Sequence, residues 1–172
     1  MSSAPEAWLR GPVDGVIPVL QPAAHALLQV GEEVTAAVDG LTPAQLWKRP
    51  GGAAAIGYHL LHIAGSTDRL LTYARGDALT RDQLAALAAE RSAHDDAPAL
   101  AGLLAEFAAA IESAMAQIRS TGEHDVFATR EVGRQRLPSN TLGLIFHAAE
   151  HAARHAGQIV TLSKVVREGD TR

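Results

Sequence analysis

The sequence predicts an all-α protein: a four-helix bundle with short extra helices and an irregular or hairpin crossover before the last long helix. Three observations lead there. About a fifth of the 172 residues are alanine and leucine is abundant, and these are the strongest helix formers. Apolar residues recur every three or four positions over four long stretches, the period of a helix with one buried face. Cap and stop residues stand at the ends of those stretches, and four long helices joined by longer connections describe a bundle. The length suits one domain, taken as residues 1–172, with no internal repeat and no linker dividing it.

The elements follow in order. Residues 1–20 hold Gly11, Pro12, Gly15 and Pro18 and read as an N-terminal arm packing on the bundle. The first long helix spans about Pro22 to Asp39, with Leu27, Val30, Val34 and Val38 on one stripe and Gly40 at its stop. Thr42-Pro43 reads as an N-cap followed by a first-turn proline, opening a short helix that stops before Pro50. Pro50-Gly51-Gly52 is a loop. The second long helix runs from about Ala54 to Ala74 and ends at Gly76. Thr80 caps a short helix over 81–91, and residues 94–98 form a boundary. The third long helix covers about Ala99 to Arg119, with Leu100, Leu103, Leu104, Phe107, Ile111, Met115 and Ile118 on one side. Residues 123–138 lack helical periodicity, and 129–138 read as a short hairpin or an irregular crossover. Ser139 or Asn140 caps the fourth long helix, about Thr141 to Glu168, which ends near Gly169.

Composition narrows the function. Fifteen basic and nineteen acidic residues leave a net charge of −4, which argues against a broad nucleic-acid surface. Arg130, Arg134 and Arg136 read as a solvated connection. No uninterrupted apolar run of 18 residues exists, so no membrane span is expected. The N-terminus lacks a basic region followed by an apolar one, so no signal peptide is expected and the cytoplasm is favoured. There is no cysteine but there are eight histidines. Any metal site must therefore use imidazole and carboxylate.

Five histidines fall in two clusters. His59 and His62 are three apart on the second long helix; His147, His151 and His155 follow at intervals of four on the last. Residues three and four apart share a helix face, and two such faces can converge inside a bundle. Imidazoles one turn apart can share an ion at roughly 2.0–2.1 Å. The zincin arrangement is absent, because Glu150 directly precedes His151. His25, His94 and His124 are isolated and read as bystanders.

Two segments carry a family resemblance. In residues 57–76, His62, Ile63, Ala64 and Ser66 match a histidine motif of the DinB-like superfamily. In residues 147–159, His151, His155, Gly157 and Gln158 match its H-x-x-x-H-x-G-Q tail. Residues 41–50 also resemble the segment before the family's second helix, and the likeness covers about residues 20–165. These are damage-inducible-type four-helix-bundle metalloproteins. The resemblance implies a metal held by three histidines, one from the second helix and two from the last: here His62, His151 and His155. Zinc, nickel and iron are the ions it implies, and three imidazoles plus water suit all three.

The resemblance makes His59 and His147 pocket neighbours or exchangeable ligands. Gln158 lies on the face of His155 and His151, and Ser66 and Arg69 follow His62 by four and seven residues. These three are candidates for the shell behind the ligands, or for helix packing. Arg69 with Tyr73 could meet an anionic substrate or tie helices together. Glu150 reads as a base or, more simply, a solvated outer residue. Gly157, costly inside a helix, suggests close approach of a neighbouring helix. The family includes transferases and isomerases dependent on bacillithiol or mycothiol, and relatives resembling metal-dependent hydrolases. It thus implies a small-molecule substrate, a low-molecular-weight thiol cosubstrate and often a homodimer. A non-catalytic metal- or ligand-binding module is the other reading.

Overall fold

Each of the four long helices forms where the apolar period places it. In the computed structural model, which describes residues 5–168, α1 spans Gln21–Val38, α2 Pro43–Trp47, α3 Ile56–Arg75, α4 Arg81–Ala89, α5 Ala93–Asp96, α6 Leu100–Ser120 and α7 Thr141–Glu168. The expected end near Gly169 lies outside the described residues, as do the first four residues of the arm.

Local chemistry sets the element ends. The short helices α2 and α4 each begin with a capping box. Thr42 Oγ1 accepts from the Gln45 amide at 3.2 Å while the Gln45 side chain accepts from the Thr42 amide at 3.0 Å. Thr80 and Gln83 repeat the arrangement for α4. Each box satisfies two donors that a helix start leaves unpaired. Gly76 ends α3 in the left-handed region, φ 90°. Of the two readings for residues 129–138, the hairpin is the one that forms: β1 (Thr129–Val132) pairs antiparallel with β2 (Leu137–Asn140), Thr129 opposite Asn140. Asn140 Oδ1 then accepts from the Gly143 amide at 2.7 Å and starts α7. The segment expected only as a boundary, 94–98, instead overlaps the single turn of α5, which begins at Ala93.

The bundle closes because α1 and α3 each pack against both α6 and α7. Leu27, Val30 and Val34 from α1, Leu60 and Ile63 from α3, Leu103, Phe107 and Ile118 from α6, and Ile145 and Ile159 from α7 are buried between them. Such side chains contribute about 1.5–3 kcal/mol each on burial. On α7, Ala148, Ala152 and Ala156 form a buried stripe at one-turn intervals. Their small size lets neighbouring backbones come near, and α3 lies along this helix. By length and composition α6 is apolar enough to cross a membrane. In the bundle its large apolar side chains form one buried stripe, alanines supply much of the rest, and Glu106 and Glu112 lie exposed.

The described part of the arm rests on α1. The Ala7 amide donates to Gln29 Oε1 at 2.9 Å, and Arg10 pairs with Glu32 at 2.5 Å. Trp8 and Leu9 themselves stay exposed.

Candidate metal centre

The α3–α7 contact brings the two histidine clusters together. His62, His151 and His155 each present one ring nitrogen within 4.8 Å of the others. His62 Nε2 and His151 Nε2 are 2.9 Å apart. The His155 ring centroid lies 4.7 Å from that of His62 and 4.6 Å from that of His151. These are the three residues the family motif names. Tyr58 stacks on the His62 ring, 5.5 Å away and nearly parallel.

The second nitrogens show whether this set suits a metal. His62 Nδ1 lies 2.8 Å from Glu90 Oε2. His155 Nδ1 lies 2.9 Å from His59 Nδ1. A ligating imidazole donates its other N–H to an acceptor; Glu90 is such an acceptor for His62, and His59 is one for His155 in the tautomer that leaves the His59 Nδ1 unprotonated. His151 differs, because its Nδ1 faces the Arg154 guanidinium at 3.3 Å. Three imidazoles with such support fit a borderline divalent ion such as zinc, nickel or iron.

Electrostatics favour the ligating form. Burial, reinforced by the His155 and His62 imidazoles, pushes His59 down from 6.5 to about 4. Burial and the neighbouring His155 and His62 rings push His151 down to about 4, with Arg154 and His147 adding to the effect. His155 is lowered by burial and by His62, while a hydrogen bond donated to the Gln158 side chain opposes the shift. These rings are therefore neutral near pH 7, as a metal requires.

The remaining candidates divide. His59 is buried and holds His155. His147 is exposed on α7, its ring 5.6 Å from that of His151 and its Nδ1 3.4 Å from Glu150. Glu150 also pairs with Arg154 at 2.6 Å, an i,i+4 surface pair, so it sits on the outer face. Gln158 is exposed but reaches His155. The Ser66 hydroxyl donates to the Ile63 carbonyl of its own helix at 3.3 Å. Arg69 is buried and bonded to Glu90 at 2.6 Å, so of its two expected roles it ties elements together. The reading of Gly157 is corrected: a Cβ there would meet nothing within 4 Å, and nothing in the structure explains that glycine. Among the isolated histidines, His25 bonds the Gly11 carbonyl at 2.9 Å and His94 meets the Trp47 ring edge-on.

Sequence reasoning missed Tyr58, Arg154 and, most deeply buried of the three, Glu90. Glu90 follows α4, 28 positions from His62, and is 7% exposed. Burial alone would raise its carboxyl; hydrogen bonds from His62 and Arg69 and their charges overcome that and hold it below the usual range. Its only mark in the sequence is an acid at the end of an alanine-rich helix, and such a residue usually faces solvent.

A helical bundle with an interhelical cluster of imidazoles, backed by a buried carboxylate, is a scaffold able to hold a transition metal. The family model of the DinB superfamily matches residues 26–159, a span that includes all three clustered histidines. The chain belongs to the DinB superfamily. No curated protein matches it.

Proposed function

We propose that this protein holds a divalent transition ion on His62, His151 and His155 and activates a low-molecular-weight thiol for transfer to an electrophile. The observation that carries the reading is the convergence of three imidazole nitrogens within 4.8 Å, with the far nitrogens of His62 and His155 already engaged. An ion there supplies Lewis acidity, making a neighbouring thiol or water more acidic near neutral pH. The protein's own residues do the rest. His62, His151 and His155 orient the donor set, His59 fixes the His155 ring, and Tyr58 covers one face of His62. Arg154, exposed beside His151, offers a cation to an anionic group of the substrate. The chain has no cysteine, so the sulfur belongs to a cosubstrate.

The test begins with protein purified without a polyhistidine tag and analysed for bound metal. About one equivalent is expected, falling below about a tenth in His151→Ala. The loaded protein is then incubated with a bacillithiol-type thiol and a chlorinated or epoxide electrophile. Thioether formation that needs the metal and fails in His151→Ala supports the transferase. Consumption of the electrophile without thiol points to hydrolysis instead. Full metal occupancy with no turnover across a panel of thiols overturns the enzymatic reading and leaves a binding module.

A further inference from the structure

We propose that Glu90, locked by Arg69, sets the tautomer of His62, keeping the proton on Nδ1 and the lone pair on Nε2, and so makes His62 competent to bind a metal. Glu90 is on this view a positioning residue. The three groups form a chain: Arg69 Nη1 lies 2.6 Å from Glu90 Oε1, and Glu90 Oε2 lies 2.8 Å from His62 Nδ1. Glu90 is 7% and Arg69 8% exposed, so water offers neither a ready substitute partner. An ionised carboxylate only accepts and a guanidinium only donates, whereas neutral imidazole has one donor and one acceptor. With His62 neutral, the form in which an imidazole ligates a metal, the direction of every bond is then forced. Arg69 donates to Glu90, His62 Nδ1–H donates to Glu90, and His62 Nε2 is left unprotonated 2.9 Å from His151 Nε2.

The backbone makes room for this chain. A Cβ on Gly65 would lie 2.5 Å from Glu90 Oε1 and 2.6 Å from Arg69 Nη1. Both side chains thus occupy the space that any larger residue at 65 would take. A buried pair serving only to tie the α4–α5 connection onto α3 would not need its second carboxylate oxygen on the ring of a clustered histidine.

Glu90→Gln gives a sharp test, because it keeps the shape and removes one acceptor. Arg69 still requires an oxygen, so the new amide turns its oxygen to Arg69 and its NH2 to His62 Nδ1. His62 must then accept at Nδ1 and carry its proton on Nε2, the nitrogen a metal needs. Imidazole 15N NMR of the metal-free protein reads this directly: Nδ1–H in the wild type, Nε2–H in Glu90→Gln. Zinc or cobalt affinity, measured by chelator competition, is expected to fall about 10–100-fold.

Two charge-free variants guard against a folding artefact, since replacing both members of a buried pair is often tolerated. Arg69→Met with Glu90→Gln frees the amide to offer its oxygen, restoring Nδ1–H and most of the affinity. Arg69→Met with Glu90→Met has no acceptor and is expected to bind about as weakly as Glu90→Gln. An unchanged tautomer in Glu90→Gln, affinity within about twofold of wild type, or equal affinities for the two double variants would each overturn the proposal. The affinity arm rests on the three-histidine reading, but the tautomer arm does not. If the wild type binds no ion, that reading fails while the NMR comparison still decides the role of Glu90.

Discussion

Gly65→Ala should destabilise the protein, although alanine is the better helix former by about 1 kcal/mol. The added Cβ would fall 2.5 Å from Glu90 Oε1 and 2.6 Å from Arg69 Nη1, well inside contact distance. Both atoms end flexible side chains, so the steric overlap alone can be relieved by rotation. Rotation, however, breaks the 2.6 Å pair and the 2.8 Å contact to His62. Separating a buried ion pair costs about 3–5 kcal/mol when one partner is lost outright. Both charges survive here, so we take the lower end, about 3 kcal/mol, and subtract the propensity gain. The net is about 2 kcal/mol, or about 1 M in the urea midpoint at a slope of about 2 kcal/mol/M. Urea unfolding of metal-free protein followed by circular dichroism measures it. A midpoint equal to or above wild type would show that the Arg69–Glu90–His62 chain contributes little and refute the reasoning.

The metal-free protein should also lose stability on acidification. Below pH 6.5 the unfolded chain takes up a proton at His59 that the folded chain refuses until about pH 4, so stability is full above 6.5 and drains away through that window. The shift corresponds to about 3 kcal/mol, and urea midpoints measured from pH 7 to pH 4 should fall less steeply in His59→Leu. Thr80→Ala removes one capping box and should cost about 1 kcal/mol, with the loss of α4 amide protection in hydrogen exchange as the local readout. Phe107→Ala, at a position 1% exposed in the centre of the bundle, should cost about 3–5 kcal/mol, read as the same midpoint shift.

Much of this architecture is written in short-range pattern. Thr42-Pro43 and Thr80 announce their helices at the cap itself, and the structure completes each cap as a box with Gln45 and Gln83. The stripe from Leu103 to Ile118 specifies a buried face without reference to any other helix. The hairpin was ambiguous in the sequence because β1 and β2 are four residues each, too short for alternation to show. Gly157 misled for a related reason. A glycine's cost inside a helix is local, but the purpose it serves depends on what passes nearby, and nothing does within 4 Å.

The sequence by itself determined that four helices would bundle and that any metal site, with no thiolate available, would be built from imidazole and carboxylate. The family motif singled out His62, His151 and His155 among eight histidines. The tertiary structure alone decided what stands behind them: His59 against His155 from 96 residues away, and Glu90 against His62 from 28. Periodicity records which way a side chain leaves its own helix. It carries no information about which distant side chain meets it, because that depends on the docking of α7 and of the α4–α5 connection onto α3. Glu90, ordinary in the sequence, becomes a partner of the site once that connection is folded down and Gly65 leaves it room.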